Sequence, residues 1–158
     1  MFCDKTGTLT KNLLVFRHIE SVSGVEAGFP KTPDDYELAR CILLCNTAYR
    51  GPKKDLQCSN QDELVLLEAL EKEYDCYLRD RGQDNVTIEI GGVSEIFEVL
   101  KINHYSSERK RMSVIVKSTK DGRIINYAKG ADAIIKERLI DRVSDQTTFA
   151  QVEKLASE

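Results

Sequence analysis

The sequence predicts an α+β fold, an antiparallel β-sheet flanked by helices. Three features of the chain predict it. Two amphipathic stretches with helical spacing occupy the first half. After Asn85 the hydrophobic period falls to two, as it does when alternate side chains of a strand face a core. Asp121-Gly122 then separates two such runs in the manner of a hairpin turn. Strands collected in the second half, with helices before and after them, fit an antiparallel layer arrangement.

Taken in order, Leu13 to Val22 is rich in β-branched and aromatic residues and predicts a strand ending near Ser23-Gly24. Pro30 and Pro33 mark a loop. Asp34 is the expected N-cap of a first helix, with Glu37 three residues on; Tyr36, Leu38, Ala39, Ile42, Leu43, Cys45 and Ala48 carry its apolar spacing, and Gly51-Pro52 stops it. Lys53 to Gln61 is polar and reads as an exposed loop. Leu64, Leu67, Leu70 and Tyr74 line one face of a second helix, capped by Asn60 with Glu63 in the reciprocal capping position. Strand signals follow at Val86, Ile88 and Ile90, at Ile96, at Val99 and Leu100, and at Val114 and Val116 before Ile124. In the Ser113–Lys117 and Arg123–Tyr127 pair, a type I′ turn at Asp121-Gly122 requires positive φ at both central residues. Ala131–Arg138 and Thr147–Leu155 predict helices.

A chain of 158 residues suits one domain, and at this size about 68 to 70% of the unfolded surface is buried on folding. Lys and Arg number 23 against 26 Asp and Glu, giving a net charge of −3, which argues against a nucleic-acid-binding surface. Any anion site must be local. The longest apolar runs, Cys41–Cys45 and Leu64–Leu67, fall far short of the ~20 residues a membrane-spanning helix needs, and polar residues follow Lys5 where a signal peptide would place its apolar segment. The five cysteines are odd in number and contain no C-x-x-C pair, which predicts reduced thiols and small buried hydrophobes.

Asp4-Lys5-Thr6-Gly7-Thr8-Leu9-Thr10 carries a distinct chemical logic. A carboxylate such as Asp4 attacks phosphorus only when nearby positive charge and a metal ion offset the repulsion between two anions. Lys5 supplies one charge. Thr6, Gly7 and Thr8 supply hydroxyls and close backbone N–H groups, the donors that a transferring phosphoryl group needs.

A second constellation begins at Tyr105. Arg109-Lys110-Arg111 places three cations in a row near an aromatic ring, in a chain that is acidic overall. An adenine nucleotide asks for such a set: a ring to stack on and charge for its phosphates. A solvated charged turn is the other reading. Lys129-Gly130-Ala131-Asp132 ends the strand that the hairpin pairs with Ser113–Val116, so Lys129 returns to the edge of Tyr105 and Lys110, and Gly130 permits close backbone approach there. A strand-to-helix turn with Asp132 as cap is compatible with the same residues.

The order Asp4–Thr10, Asp62-Glu63, Arg109–Val114 and Lys129–Asp132 resembles the nucleotide-binding domain of the P-type ATPases, and within them the phospholipid flippases. Cation pumps tend to place Pro after Lys-Gly-Ala, where this chain has Asp132. The resemblance covers Cys3 to Glu158 and implies the fold of that N domain. It implies that Asp4 is phosphorylated by ATP, with Lys5 and Thr6 as its phosphate neighbours and Asp4 and Thr6 on Mg2+. It implies a nucleotide site with Glu63 near the adenine amino group, Tyr105 as the stacking ring, Lys110 and Arg111 lining the pocket, and Lys129 with Gly130 at its edge. Tyr105 stands where the family usually has Phe, which adds a hydroxyl in need of a partner. Cys3 stands where flippases usually have Ser.

The resemblance further implies that residues 1–12 open a phosphorylation domain and that residues 13–158 form the nucleotide-binding domain. The chain is then expected to be a soluble cytosolic piece of a multi-pass membrane pump. Its partners would be ATP and the phosphorylation, actuator and membrane domains, with a phospholipid met only through the membrane domain. Three alternatives stay open on the residues alone: a cation-transporting P-type ATPase, a soluble phosphatase of the haloacid-dehalogenase type, and a non-catalytic interaction module. The second usually needs an acid two residues after the nucleophile, where Thr6 stands.

Overall fold

Five consecutive strands form an antiparallel meander in which every strand pairs with its sequence neighbour. They are β3 (Cys76–Arg81), β4 (Asn85–Ile90), β5 (Val93–Asn103), β6 (Arg111–Ser118) and β7 (Ile124–Gly130), preceded by α1 (Pro33–Leu44), β1 (Tyr49–Arg50), β2 (Leu56–Gln57) and α2 (Gln61–Glu73), and followed by the short α3 (Asp132–Lys136). The computed structural model describes residues 14–17, 19, 29–139 and 150. The expected α+β architecture is therefore the one observed, with β1 and β2 as a separate two-stranded ribbon.

One face of the sheet is apolar and α1 and α2 cover it. In β4 the side chains of Val86, Ile88 and Ile90 are buried while Asn85, Thr87 and Glu89 stay at the surface, the alternation of a strand with one wet face. Leu78, Phe97, Val114 and Val116 continue the apolar face across the sheet, and Ala39, Leu43, Leu44, Leu67 and Leu70 meet it from the helices. Each fully buried Leu or Val contributes about 1.5 to 3 kcal/mol relative to exposure. Among the described residues, buried polar side chains of this layer find partners, as the Tyr127 hydroxyl donating to Glu37 at 2.6 Å illustrates, with Arg81 Nη1 the exception.

Helix α1 begins two residues earlier than its sequence suggests. Thr32, not Asp34, is the N-cap, and Pro33 occupies the first helical turn where its missing N–H costs nothing. The Thr32 hydroxyl accepts from Asp35 N at 3.2 Å, and the buried Asp35 carboxylate accepts from the backbone of Thr32 at 2.9 Å and Lys31 at 3.0 Å. The helix stops at Leu44 rather than at Gly51-Pro52, because Asn46 and Arg81 take its last carbonyls. Asn60 caps α2 as expected, accepting from Asp62 N and Glu63 N.

Several other expectations are corrected. Of the strand expected over Leu13–Val22, Leu14–Arg17 and Ile19 are described and are not in a strand, the rest lying outside the described residues; Leu14 and Val15 are exposed, while Phe16 packs edge-to-face with the Tyr74 ring and Ile19 enters the core. Lys53–Gln61 is not all loop, since Leu56-Gln57 pairs with Tyr49-Arg50. Strand β3 escapes the period-two reading because Arg79, Asp80 and Arg81 break it, and a bulge between Leu78 and Asp80 shifts its register. The β6–β7 hairpin forms, but only Gly122 of the Asp-Gly pair has positive φ, in a longer connection closed by Ser118 N donating to Arg123 O. Type I′ geometry belongs instead to the β4–β5 turn, where Gly91 and Gly92 both have positive φ. Helix α3 is shorter than Ala131–Arg138, and Ala131 rather than Asp132 is its N-cap. Of Thr147–Leu155 only Ala150 is described, and it is helical.

Replacing Asp35 by Ala removes the buried half of the α1 capping box. We expect a loss of about 1 to 2 kcal/mol in unfolding free energy, read from urea denaturation; a loss confined to a few tenths would show that Thr32 suffices.

Candidate functional site

Glu63 stands in the first turn of α2 but does not reach back to its cap. Its side chain crosses to the corner between α1 and β1, where Oε2 accepts from Thr47 N and Thr47 Oγ1, both at 2.9 Å, and from Cys58 Sγ at 3.3 Å. Oε1 accepts from Lys129 Nζ at 2.7 Å. Thus one carboxylate gathers donors from the α1–β1 corner, the end of β2 and the far strand β7. Glu63 is only 5% exposed. Burial pushes its carboxyl upward, yet the hydrogen bonds from Lys129 and Thr47 outweigh that and hold it below the usual carboxylate range. The N-terminus of α2 favours the same ionised state.

Lys129 arrives by register. It pairs with Met112 across β6 and β7, on the helix-facing side shared by Tyr127 and Ile125. Gly130 comes next, opposite Arg111. A Cβ at Gly130 would lie 2.6 Å from both Arg111 Cβ and Lys110 O, so glycine is required here, and the close approach it permits is between two strands. Ala131 N donates to Lys110 O at 3.1 Å and seals that contact.

The turn before β6 presents the remaining candidates. Lys110 has positive φ, and its N–H donates to Ser106 O at 2.7 Å, while Ser106 Oγ accepts from Arg109 N. Tyr105 is 63% exposed, with no ring or hydrogen-bond partner among the described residues. Arg109 donates to His104 O and Arg111 to Arg109 O, so these guanidinium groups are engaged by carbonyls and not by carboxylates. Partial burial, and then the charges of Arg138 and Arg109, hold Arg111 below its usual value.

The structure therefore joins Glu63 to Lys129 directly, and Gly130 to Lys110 and Arg111 through backbone. Tyr105 shares the turn of Lys110 but touches neither Glu63 nor Lys129. Asp4, Lys5 and Thr6 lie outside the described residues. Sequence reasoning did not find Thr47, Cys58 or Arg81, for which neither motif nor periodicity offers a signal. Cys45 is fully buried, and its thiol donates to Met112 O at 3.7 Å. Burial pushes the Cys41 thiol up to about 12 and raises that of Cys45, so neither is a thiolate at neutral pH. Among the described residues no group of three or more His, Cys, Asp or Glu is placed to hold a metal, and no helix is long and apolar enough to cross a membrane.

Residues 35–157 match the family model for the cytoplasmic domain N of P-type ATPases. The chain belongs to that family. The matched stretch includes Glu63, Tyr105, Lys110, Arg111, Lys129 and Gly130. Among curated relatives, the Xenopus tropicalis phospholipid-transporting ATPase IC is 31% identical, over 95% of this chain and 15% of its own length. The Mus musculus phospholipid-transporting ATPase FetA is 28% identical over all of this chain and 17% of its own. The Saccharomyces cerevisiae phospholipid-transporting ATPase DRS2 is 27% identical over all of this chain and 14% of its own. This N domain thus spans 14 to 17% of the length of those relatives.

Two measurements test the N domain site as built. Glu63 titrates below its unfolded value, so its contribution is present above the usual carboxylate pKa and disappears as pH falls through the lower folded one. Glu63→Gln is expected to cost about 1 to 2 kcal/mol at pH 7, with solvent at the partly exposed Lys129 keeping it small. The gap to the parent protein should close on acidification; a gap independent of pH would mean the ion pair adds nothing. Gly130→Ala should cost about 1 to 3 kcal/mol through the backbone clash, measured by thermal unfolding.

Proposed function

We propose that this chain is the ATP-binding part of a phospholipid-translocating P-type ATPase, held on the cytosolic side of a multi-pass membrane protein. The observation that carries the nucleotide reading is the grouping, at one edge of an N domain sheet, of the Glu63–Lys129 pair with the cationic turn of Tyr105, Lys110 and Arg111. The donor set fits a nucleotide. Tyr105 offers an open ring face, and no described residue pairs with the Lys110 ammonium. Lys129 uses one of its three donors on Glu63. The polyanion fits a turn whose guanidinium groups have only carbonyl partners. The phospholipid reading rests on Asp132 after Lys-Gly-Ala and on the relatives' names.

In this reading each side chain has a physical task. Tyr105 stacks on the base, worth about 1 to 3 kcal/mol. Lys110, Arg111 and Lys129 offset phosphate charge, with Gly130 keeping the two strand ends close enough to present them together. Glu63 would accept from the exocyclic amino group of adenine, its Oε1 retaining an acceptor site beside Lys129. When bound, ATP supplies the transferable phosphoryl group. In the full pump Asp4 would be the residue that takes it, Lys5 and Thr6 would neighbour the phosphate, and Asp4 and Thr6 would hold the Mg2+ that offsets its charge. Such transfer depends on positioning worth effective molarities of about 10⁵ to 10⁸ M. Residues 1–12 begin the phosphorylation domain that provides it, and residues 13–158 form the nucleotide-binding domain. The phosphorylation, actuator and membrane domains are the partners of the chain.

ATP titrated into the 15N-labelled chain is expected to shift amides around Glu63, Tyr105, Lys110 and Lys129; an unchanged spectrum would favour an interaction module instead. Tyr105→Ala should weaken ATP by roughly tenfold or more, and equal affinity would remove Tyr105 from the site. Incubated with γ-labelled ATP and Mg2+, the 158-residue chain should stay unlabelled. Acid-stable label lost on Asp4→Asn would show that it phosphorylates itself.

A further inference from the structure

Arg81, the last residue of β3, reaches the corner that follows α1. Its Nε donates to Ala48 O at 2.8 Å, and its Nη2 lies 3.1 Å from Asn46 Oδ1, 3.3 Å from Leu44 O and 3.4 Å from Leu43 O. Leu43 and Leu44 end α1, so their carbonyls lack onward helical partners. Asn46, buried in the same corner, donates from Nδ2 to Ile42 O and Leu43 O at 2.8 Å and accepts Ala48 N at 3.0 Å. Thr47 is thereby clamped between two residues that both bond to Arg81. From that position it directs its N–H and its hydroxyl at the same oxygen of Glu63.

We propose that Arg81 is a positioning residue for the Glu63–Lys129 pair: its guanidinium fixes the Asn46–Ala48 corner so that Thr47 aims Glu63. As a statement about nucleotide affinity this rests on the reading above, whereas the link from Arg81 to Glu63 stands by itself. The planar fork is what the task needs, since acceptors at Leu43, Leu44, Asn46 and Ala48 must be met at once, and a lysine ammonium cannot span them in fixed geometry. One nitrogen, Nη1, is buried without a partner among the described residues. Burying that donor costs free energy, which the bonds of Nε and Nη2 to the corner offset. The fork follows the corner.

The charges facing Glu63 are Lys129 from β7 and Arg81 from β3, with the thiols of Cys58 and Cys45 beside it. A direct field of Arg81 on Glu63 is the competing account. Arg81→Lys separates the two, because it keeps the charge and removes the fork.

The experiment follows the Thr47 amide of the 15N-labelled 158-residue chain through a pH titration that reports ionisation of Glu63. Positioning predicts that R81K moves the Thr47 amide upfield, raises the Glu63 midpoint toward the ordinary carboxylate value and weakens ATP about tenfold. It also predicts that Thr47→Val raises the midpoint, and that the R81K, T47V double variant is no worse than the more severe single one. An unchanged Thr47 resonance and midpoint in R81K, or strictly additive effects, overturns the proposal. Should R81K not fold, T47V alone reads the link from the other side: exchange of the Arg81 Nε proton should quicken, and unaltered exchange overturns it. If the parent chain binds no ATP while the Glu63 midpoint responds as described, the nucleotide reading fails and the positioning role stands.

Discussion

The carboxylate of Glu63 is the constraint around which the two halves of this domain are arranged. A buried charge is tolerated only with good partners, because an unpaired carboxylate in a dry setting costs several kcal/mol. Here the partners come from the α1–β1 corner, from the end of β2 and from β7, segments far apart in the chain. Satisfying one group therefore sets where the helical half meets the last strand of the sheet. The ionic contact with Lys129 alone would be weak at a partly open edge. Thr47 makes the difference by giving two donors to the same oxygen, and these are charge-assisted bonds.

The stability of the domain has a different source from its site geometry. Leu43, Leu67, Leu70, Leu78 and Ile88 are almost wholly buried between the helices and the sheet, and apolar burial of that kind is non-directional. It holds α1 and α2 on the sheet without specifying where Glu63 points. Direction comes from the polar corner and from register: a one-residue slip between β6 and β7 would turn Lys129 to the other face. Gly130 protects that register at its end, where any side chain would meet the backbone of Lys110. The cationic turn next to it is held by its own Ser106 contacts and leaves Tyr105 in the open.

Much of the fold was legible from periodicity. Val86, Ile88 and Ile90 alternate cleanly and form a strand; Leu67 and Leu70 recur at helical spacing and form a helix capped by Asn60. The misreadings have local causes. Cys45 and Ala48 continue the apolar spacing of α1 and are both buried, yet they lie beyond its end, because burial does not require helix and Arg81 supplies a cap that no nearby residue announces. The Arg79–Arg81 end of β3 carries no apolar alternation, but its guanidinium groups find Glu89 across the ladder and Ala48 below. Asp121-Gly122 carries the composition of a tight turn, while the two-residue turn with positive φ at both positions is Gly91-Gly92.

Sequence by itself determined the class of the fold, the family and the residues in which an anion or nucleotide site would be sought. Those properties follow from short-range pattern: periods of two and of three to four, the Lys-Gly-Ala-Asp string, and cations grouped in a row. Only the tertiary structure decided that Glu63 abandons its own helix cap for Thr47 and Lys129, that Gly130 serves strand against strand, and that Arg81 holds the corner between them. Such choices arise where chain segments remote in sequence compete for one buried charge. No local pattern encodes the outcome, because the partners acquire their positions only when the sheet and helices have packed.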